Sequence, residues 1–344
     1  MTSSLKCVNL NAAGIDIGSR SHFVAVAQDR DEKPVREFKF FTEELYKLSD
    51  WLKSCKIDTV AMEATGSYWL PLYEVLEKNN FKVYLVNGRH VKNVSGRKTD
   101  VQDCQWLQQL HSYGLLSNSF IPDEQIRGLR RLVRHRDNLI RSNARGLQLM
   151  QKCLIEMNMQ LQNVINDISG DTGLQIIRAI VSGERDPKVL SGYRDSRCKN
   201  SEEIIEKSLQ GHYKEEVLFS LKQILATYDH YLQQVQQCDA EISEKMLKFE
   251  NKNDSGKSIK KKREAKKYRF HFDAQNMLFN VLGVNLLDIP GMNAKSALTF
   301  ISEVGTDVSK FRSAKHFTSW LGLSPNNKIS GGKVLRKKTT NTSN

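Results

Sequence analysis

Three short apolar runs in immediate succession constrain this chain more than any other feature. Gly14-Ile15-Asp16-Ile17 and Phe23-Val24-Ala25-Val26-Ala27 flank the polar turn Gly18-Ser19-Arg20-Ser21, and residues 35–41 make the third run. Runs of this length bounded by turn residues predict three antiparallel strands. Thr42 then reads as the N-cap of a helix with Leu45, Leu48, Trp51 and Leu52 on one face. A buried strand at 59–62, a helix at 69–77 and a strand at 81–86 follow, so the order is βββαβαβ.

That order is the opening of a ribonuclease-H-like α/β domain, which we bound at residues 1–120. Residues 121–250 turn helical. Ile126, Leu129, Val133, Ile140, Ala144, Leu147, Leu154 and Met157 keep helical spacing, and Arg127, Arg130, Arg131, Arg134, Arg136, Arg141 and Arg145 stud the same element. After a weakly patterned, loop-rich stretch at 167–201, Val217, Leu221, Ile224, Tyr228, Tyr231, Val235, Cys238 and Ile242 alternate steps of four and three. A repeat of about 3.5 residues is a coiled-coil seam. It can be satisfied by another copy, as a dimer or tetramer, or by folding back on the basic helix.

Residues 251–273 form a linker dense in cations, among them Lys257, Lys260, Lys261, Lys262, Arg263, Lys266, Lys267 and Arg269, against the acid Glu264 in the same run. It reads either as a solvated charge run or as a nucleic-acid contact. Lys and Arg total 52 against 39 Asp and Glu, a net charge of +13. Such a surplus points to a polyanionic partner, nucleic acid first, because neutralising phosphates releases condensed counterions. Nothing reads as a signal peptide or a membrane span, and the six cysteines are forty or more residues apart, too far for zinc or redox spacing. The expectation is a cytoplasmic protein with free thiols.

Four acids stand out. Asp16 interrupts an apolar strand, Glu63 follows the strand at 59–62, and Asp100 and Asp103 fall three apart on one face of a helix. Carboxylates at strand ends are costly to bury unless paired or bound to a cation, and four together suit two Mg²⁺ ions in phosphoryl transfer. Equally, Asp16 could cap a turn, and Asp100 and Asp103 could be first-turn acids favoured by the helix dipole.

Gly14-Ile15-Asp16-Ile17-Gly18, Met62-Glu63-Ala64-Thr65-Gly66-Ser67-Tyr68-Trp69 and Lys98-Thr99-Asp100-Val101-Gln102-Asp103 together resemble the Asp-Glu-Asp-Asp motifs of IS110-family transposases, whose N-terminal domain is similar to that of RuvC resolvases. The resemblance implies metal and catalytic roles for Asp16, Glu63, Asp100 and Asp103 with Mg²⁺, and a homo-oligomer acting on DNA under a structured guide RNA. Leu287-Asp288-Ile289-Pro290-Gly291-Met292-Asn293, followed by a small-residue helix, looks like a helix-hairpin-helix with Gly291 at a phosphate-holding turn, or else a tight helix connection.

Ile329-Ser330-Gly331-Gly332-Lys333 resembles the loop that carries the family's nucleophilic serine, which assigns that role to Ser330; Lys333, Arg336, Lys337 and Lys338 supply positive charge beside it. Read bare, the same string is a flexible loop. Family members continue with further helices, so the C-terminal domain at 274–344 is expected to be incomplete. The nucleic-acid contacts expected are Arg127, Arg130, Arg131, Arg134, Arg141, Lys260, Lys261, Lys262, Gly291 and Lys333. The function implied is a transposase or recombinase working through a phosphoserine; the alternatives are a RuvC-like structure-selective endonuclease and an inactive nucleic-acid-binding protein.

Overall fold

A computed structural model describes residues 6–88, 99–254, 256, 258–264, 269–325, 327–337 and 339. Lys98, Lys257, Lys266, Lys267 and Lys338, singled out in the sequence, lie outside the described residues. Two compact units result, Met1–Ile121 and Pro122–Asn344.

The first unit follows the predicted order. Strands β1 (Ala12–Ile17), β2 (Ser21–Ala25) and β3 (Val35–Lys39) precede α1 (Thr42–Ser54), then come β4 (Thr59–Glu63), α2 (Trp69–Lys78), β5 (Lys82–Val86) and α3 (Asp100–Ser112). The five-stranded mixed sheet runs β3-β2-β1-β4-β5, antiparallel between β3, β2 and β1 and parallel from β1 through β4 to β5. The N-cap of α1 is Phe41, without a side-chain cap, so Thr42 is its first helical residue and not the expected cap.

Side chains alternate across a strand, and that alternation divides this sheet between two cores. Ala13, Ile15, Ile17, Val60, Met62, Val83 and Leu85 face α1 and α2, which bury Leu48, Leu52, Leu72 and Leu76 against them. On the other face Val86 and Tyr84 meet Leu107, Trp106 and Leu110 of α3. Asp16 and Glu63, each one residue beyond the paired Ile15 and Met62, therefore share the α3 face.

The second unit is built on two long antiparallel helices, α4 (Glu124–Glu156) and α9 (Glu215–Leu247). Asp123 caps α4, accepting from Ile126 N at 2.9 Å. Gln125 Nε2 donates to Lys248 O at 3.0 Å at one end, and Tyr228 lies beside Gly146 towards the other. Val217, Leu221, Tyr228, Val235, Cys238 and Ile242 are buried in clusters that include α4 residues, so the seam is filled by α4 of the same chain, the fold-back alternative.

The stretch at 167–201 expected to be loop-rich carries two short helices, α6 (Asp171–Val181) and α7 (Pro187–Ser191), and is flanked by two more, α5 (Leu161–Val164) before it and α8 (Glu202–Ser208) after it. Their core of Leu161, Ile176, Ile177, Ile180, Leu190 and Ile205 closes on Met150 and Leu154 of α4 and Leu221 of α9. Short helices with one or two apolar turns each leave too little periodicity to read in sequence.

At the other end of the hairpin lie α10 (Ala274–Leu282), a 3₁₀ turn (Leu286–Asp288), α11 (Ala294–Val304) and, through Phe317 against Phe300, α12 (Ala314–Trp320); the β6 (Lys328–Ser330)–β7 (Lys333–Arg336) hairpin follows in the chain. Leu278, Ala297, Leu298 and Ile301 pack on Ile126, Leu129, Ile242 and Met246. Arg136, counted in sequence among the basic studs of the helix, is instead 3% exposed. It pairs with the buried Asp239, which also accepts from His271 N at 3.1 Å and contacts His271 Nδ1 at 2.7 Å. All six cysteines are free. Among the described residues no helix is long and apolar enough to cross a membrane.

Candidate active site and nucleic-acid interface

Asp16 and Glu63 stand level at the carboxyl ends of the parallel strands β1 and β4. Across that face runs α3, whose N-cap Thr99 accepts from Gln102 N at 3.3 Å and whose first turn carries Asp100 and Asp103. The helix lies very close to the sheet because Gly14 has no side chain. A Cβ there would run into Gln108 N and Cys104 O and stand 2.8 Å from Gln108 Cα. Glycine is thus what lets α3 bring its first turn to the end of β1.

Asp16 feels the charges of the other three acids. The Asp16 carboxyl is pushed up to about 6, first by burial and then by the negative charges of Asp100, Asp103 and Glu63, with a hydrogen bond from Ile17 N opposing. The buried Cys104, whose thiol donates to Val101 O at 3.1 Å, is pushed up to about 12 by burial and by Asp16, so it stays a protonated packing group. Among the described residues no three His, Cys, Asp or Glu side chains already form a metal cage. The chemistry nevertheless fits a hard divalent cation, since the donors are all carboxylate oxygens and a half-buried carboxylate raised by three like charges is stabilised by positive charge.

Ser330 belongs to the second unit. The loop expected to be flexible is a tight hairpin: Ser330 pairs with Lys333, and Gly331 and Gly332 between them have φ of +54° and +75°. Positive φ at both central residues is the type I′ turn, whose twist matches the flanking strands. Ser330 and Lys333 are both exposed.

The arginines of α4 divide in two. Arg130 donates to Ser302 O at 3.1 Å and Glu303 O at 2.7 Å, while Arg134 forms a two-pronged pair with the Glu303 carboxylate at 2.7 and 2.8 Å. Arg127 donates to Pro122 O. These three are engaged within the unit, whereas Arg131 and Arg141 are exposed, the latter resting on Asp137 O and Asn138 Oδ1.

In the linker Lys261 pairs with Asp273 at 2.9 Å and Lys262 with Asp288 at 3.0 Å, and Lys260 is exposed. Gly291, φ +84°, makes the turn before α11. One of the amides at that helix start is already occupied, because Ala294 N donates to Glu264 Oε1 at 2.6 Å.

Sequence reasoning missed Gly14 as a spacer, Glu303 as the partner of two arginines, and Gly88, discussed below. The signal for Gly14 was present in a glycine inside a strand, which marks close backbone approach. Glu303 had none, because its partners lie far away in sequence.

A mixed sheet of this order, with acids at the ends of two parallel strands and on the helix laid across them, is compatible with a ribonuclease-H-like DEDD domain. A family model of IS110-type DEDD transposases matches residues 13–159, and one of the transposase IS116/IS110/IS902 family matches residues 284–344. No curated protein matches the chain. The chain belongs to the IS110 family of transposases, which gives it a transposase or recombinase role on DNA.

Proposed function

We propose that the chain cleaves and exchanges DNA strands by Mg²⁺-dependent phosphoryl transfer through a phosphoserine at Ser330. The observation that carries this reading is Asp16, held half-buried at the end of β1 in the joint field of Glu63, Asp100 and Asp103. Those four acids would hold Mg²⁺, which supplies Lewis-acid stabilisation of charge on the scissile phosphate.

Ser330 Oγ attacks phosphorus. The Oγ–P bond forms as the P–O3′ bond breaks, the leaving O3′ takes the electron pair, and the proton lost by the serine hydroxyl balances the new 3′-hydroxyl. Reversal of that step on another strand conserves the phosphodiester energy. The rigid I′ turn presents Ser330 outward, and Lys333 offers charge to the phosphate. DNA and a structured guide RNA are both polyanions and would meet Arg131, Arg141, Lys260 and Lys333. In a homo-oligomer, Ser330 of one copy could serve the acids of another; with the α9 seam occupied by α4, such an assembly must use other surfaces. A DNA substrate carries with it a cytoplasmic location.

The test is cleavage of a supercoiled plasmid bearing the ends of the encoding element. Chelating Mg²⁺, or replacing Asp16→Asn, should abolish cleavage while DNA retention persists. Undiminished cleavage by Asp16→Asn would sink the metal-site assignment.

A further inference from the structure

Gly88 lies just beyond β5, which pairs with β4 so that Glu63 opposes Val86. The same connection is tied down where Ala64 N donates to Val86 O at 3.0 Å. The Glu63 side chain lies directly across the bare Cα of Gly88. A Cβ at residue 88 would overlap Glu63 Oε1 and stand 2.6 Å from its Cδ and 3.3 Å from its Cγ. Carbon atoms ordinarily rest about 3.5–4.0 Å apart. Gly88 does not owe its glycine to backbone strain, since its φ is not among the positive ones. The three nearest atoms that a larger residue would meet all belong to the Glu63 side chain.

This differs in kind from Gly14, where the obstruction is the backbone of a packed helix. At Gly88 the atoms in the way are the far end of a rotatable side chain, which can swing aside without moving the sheet. We infer that Gly88 is a positioning residue, whose missing side chain leaves the room in which the Glu63 carboxylate reaches the position it needs to bind a divalent cation with Asp16. The inference rests on the metal-site reading above, and it adds a residue outside the four acids that sets how tightly the cation is held.

The test is Mn²⁺ binding by the full chain, followed through loss of the free-ion paramagnetic resonance signal, with thermal melting of the metal-free protein in parallel. Gly88→Ala should weaken Mn²⁺ binding by about tenfold or more, the scale on which supporting contacts tune metal sites, and leave the metal-free melting temperature unchanged. Glu63→Ala deletes all three overlapping atoms, so in that background Gly88→Ala should change the residual binding by Asp16, Asp100 and Asp103 by less than about twofold, a coupling that a merely structural role does not produce.

Unchanged binding in Gly88→Ala, equal losses in both backgrounds, or a lowered metal-free melting temperature would overturn the inference. Failure of the underlying reading is distinguishable, because Glu63→Gln would then leave Mn²⁺ binding intact and both would fall. Loss in Glu63→Gln without loss in Gly88→Ala refutes the positioning role alone.

Discussion

Gly14 in β1 lies against the backbone of Gln108 in α3, so closely that no side chain fits between them. Strand and helix meet backbone to backbone at this point, and the distance from Asp16 to the acids of α3 follows from it. Gly14→Ala should therefore disturb both fold and site, since neither backbone can give locally. A cost of at least about 2 kcal/mol is expected for such overpacking, read as a melting temperature lowered by roughly 5 °C or more. A variant of unchanged melting temperature would show that α3 can lift without penalty.

Asp16 should make the metal-free protein less stable as pH rises. Its folded value near 6 exceeds the ordinary 3.8, so the folded state prefers the protonated form. The stability this contributes is fully present below the ordinary value and is lost as pH climbs through the folded one. The shift amounts to at most about 3 kcal/mol. Asp16→Asn should flatten this dependence, and Mg²⁺ should raise the melting temperature more at pH 7.5 than at pH 5. Equal Mg²⁺ stabilisation at both values would detach Asp16 from the metal.

His111 works in the opposite direction. It is 1% exposed, its Nε2 lies 2.9 Å from Thr59 Oγ1, and burial with the nearby Lys82 charge pushes it down to about 4. Stability from its neutral form is intact above the ordinary 6.5 and is lost as pH falls towards 4. The windows of His111 and Asp16 overlap and partly cancel, so the measurement belongs in the Asp16→Asn background. There, unfolding should grow easier on acidification below about 6.5, as expected for a buried neutral histidine, and His111→Gln should weaken that trend, leaving the part due to His22, which burial also lowers. An unaltered trend would assign it to other groups.

Arg130 and Arg131 are adjacent in sequence and should behave differently. Arg130 ties α4 to the last carbonyls of α11, so Arg130→Ala should cost about 1–3 kcal/mol and lower the melting temperature. Arg131 is exposed, and Arg131→Ala should leave stability alone while reducing the slope of log K against log salt for DNA binding by about one. A full unit of slope lost with Arg130→Ala, at unchanged stability, would make Arg130 a phosphate contact.

The sheet was legible in the sequence because each strand is a short run between turn formers, and Asp16 and Glu63 stood out as acids in or beside apolar runs. The 4-3 stepping of Val217 to Ile242 showed that α9 has a seam, yet periodicity is the same whether the partner is α4 or another copy. Arg136 was misread for a related reason. Its spacing placed it with the exposed arginines, and only the distant Asp239 makes its burial tolerable. Gly88 and Glu303 act through contacts with no local signature, so no pattern along the chain could have announced them.

A covalent bond between Ser330 and DNA is the step on which strand exchange through a phosphoserine depends. Protein incubated with Mg²⁺ and a labelled plasmid fragment bearing the element's ends would be denatured, digested with nuclease and resolved by gel and mass spectrometry. The prediction is label on the peptide containing Ser330 in the wild type and none in Ser330→Ala or Asp16→Asn. Strand cleavage that persists in Ser330→Ala without any adduct would contradict it and leave hydrolysis by the four acids in its place.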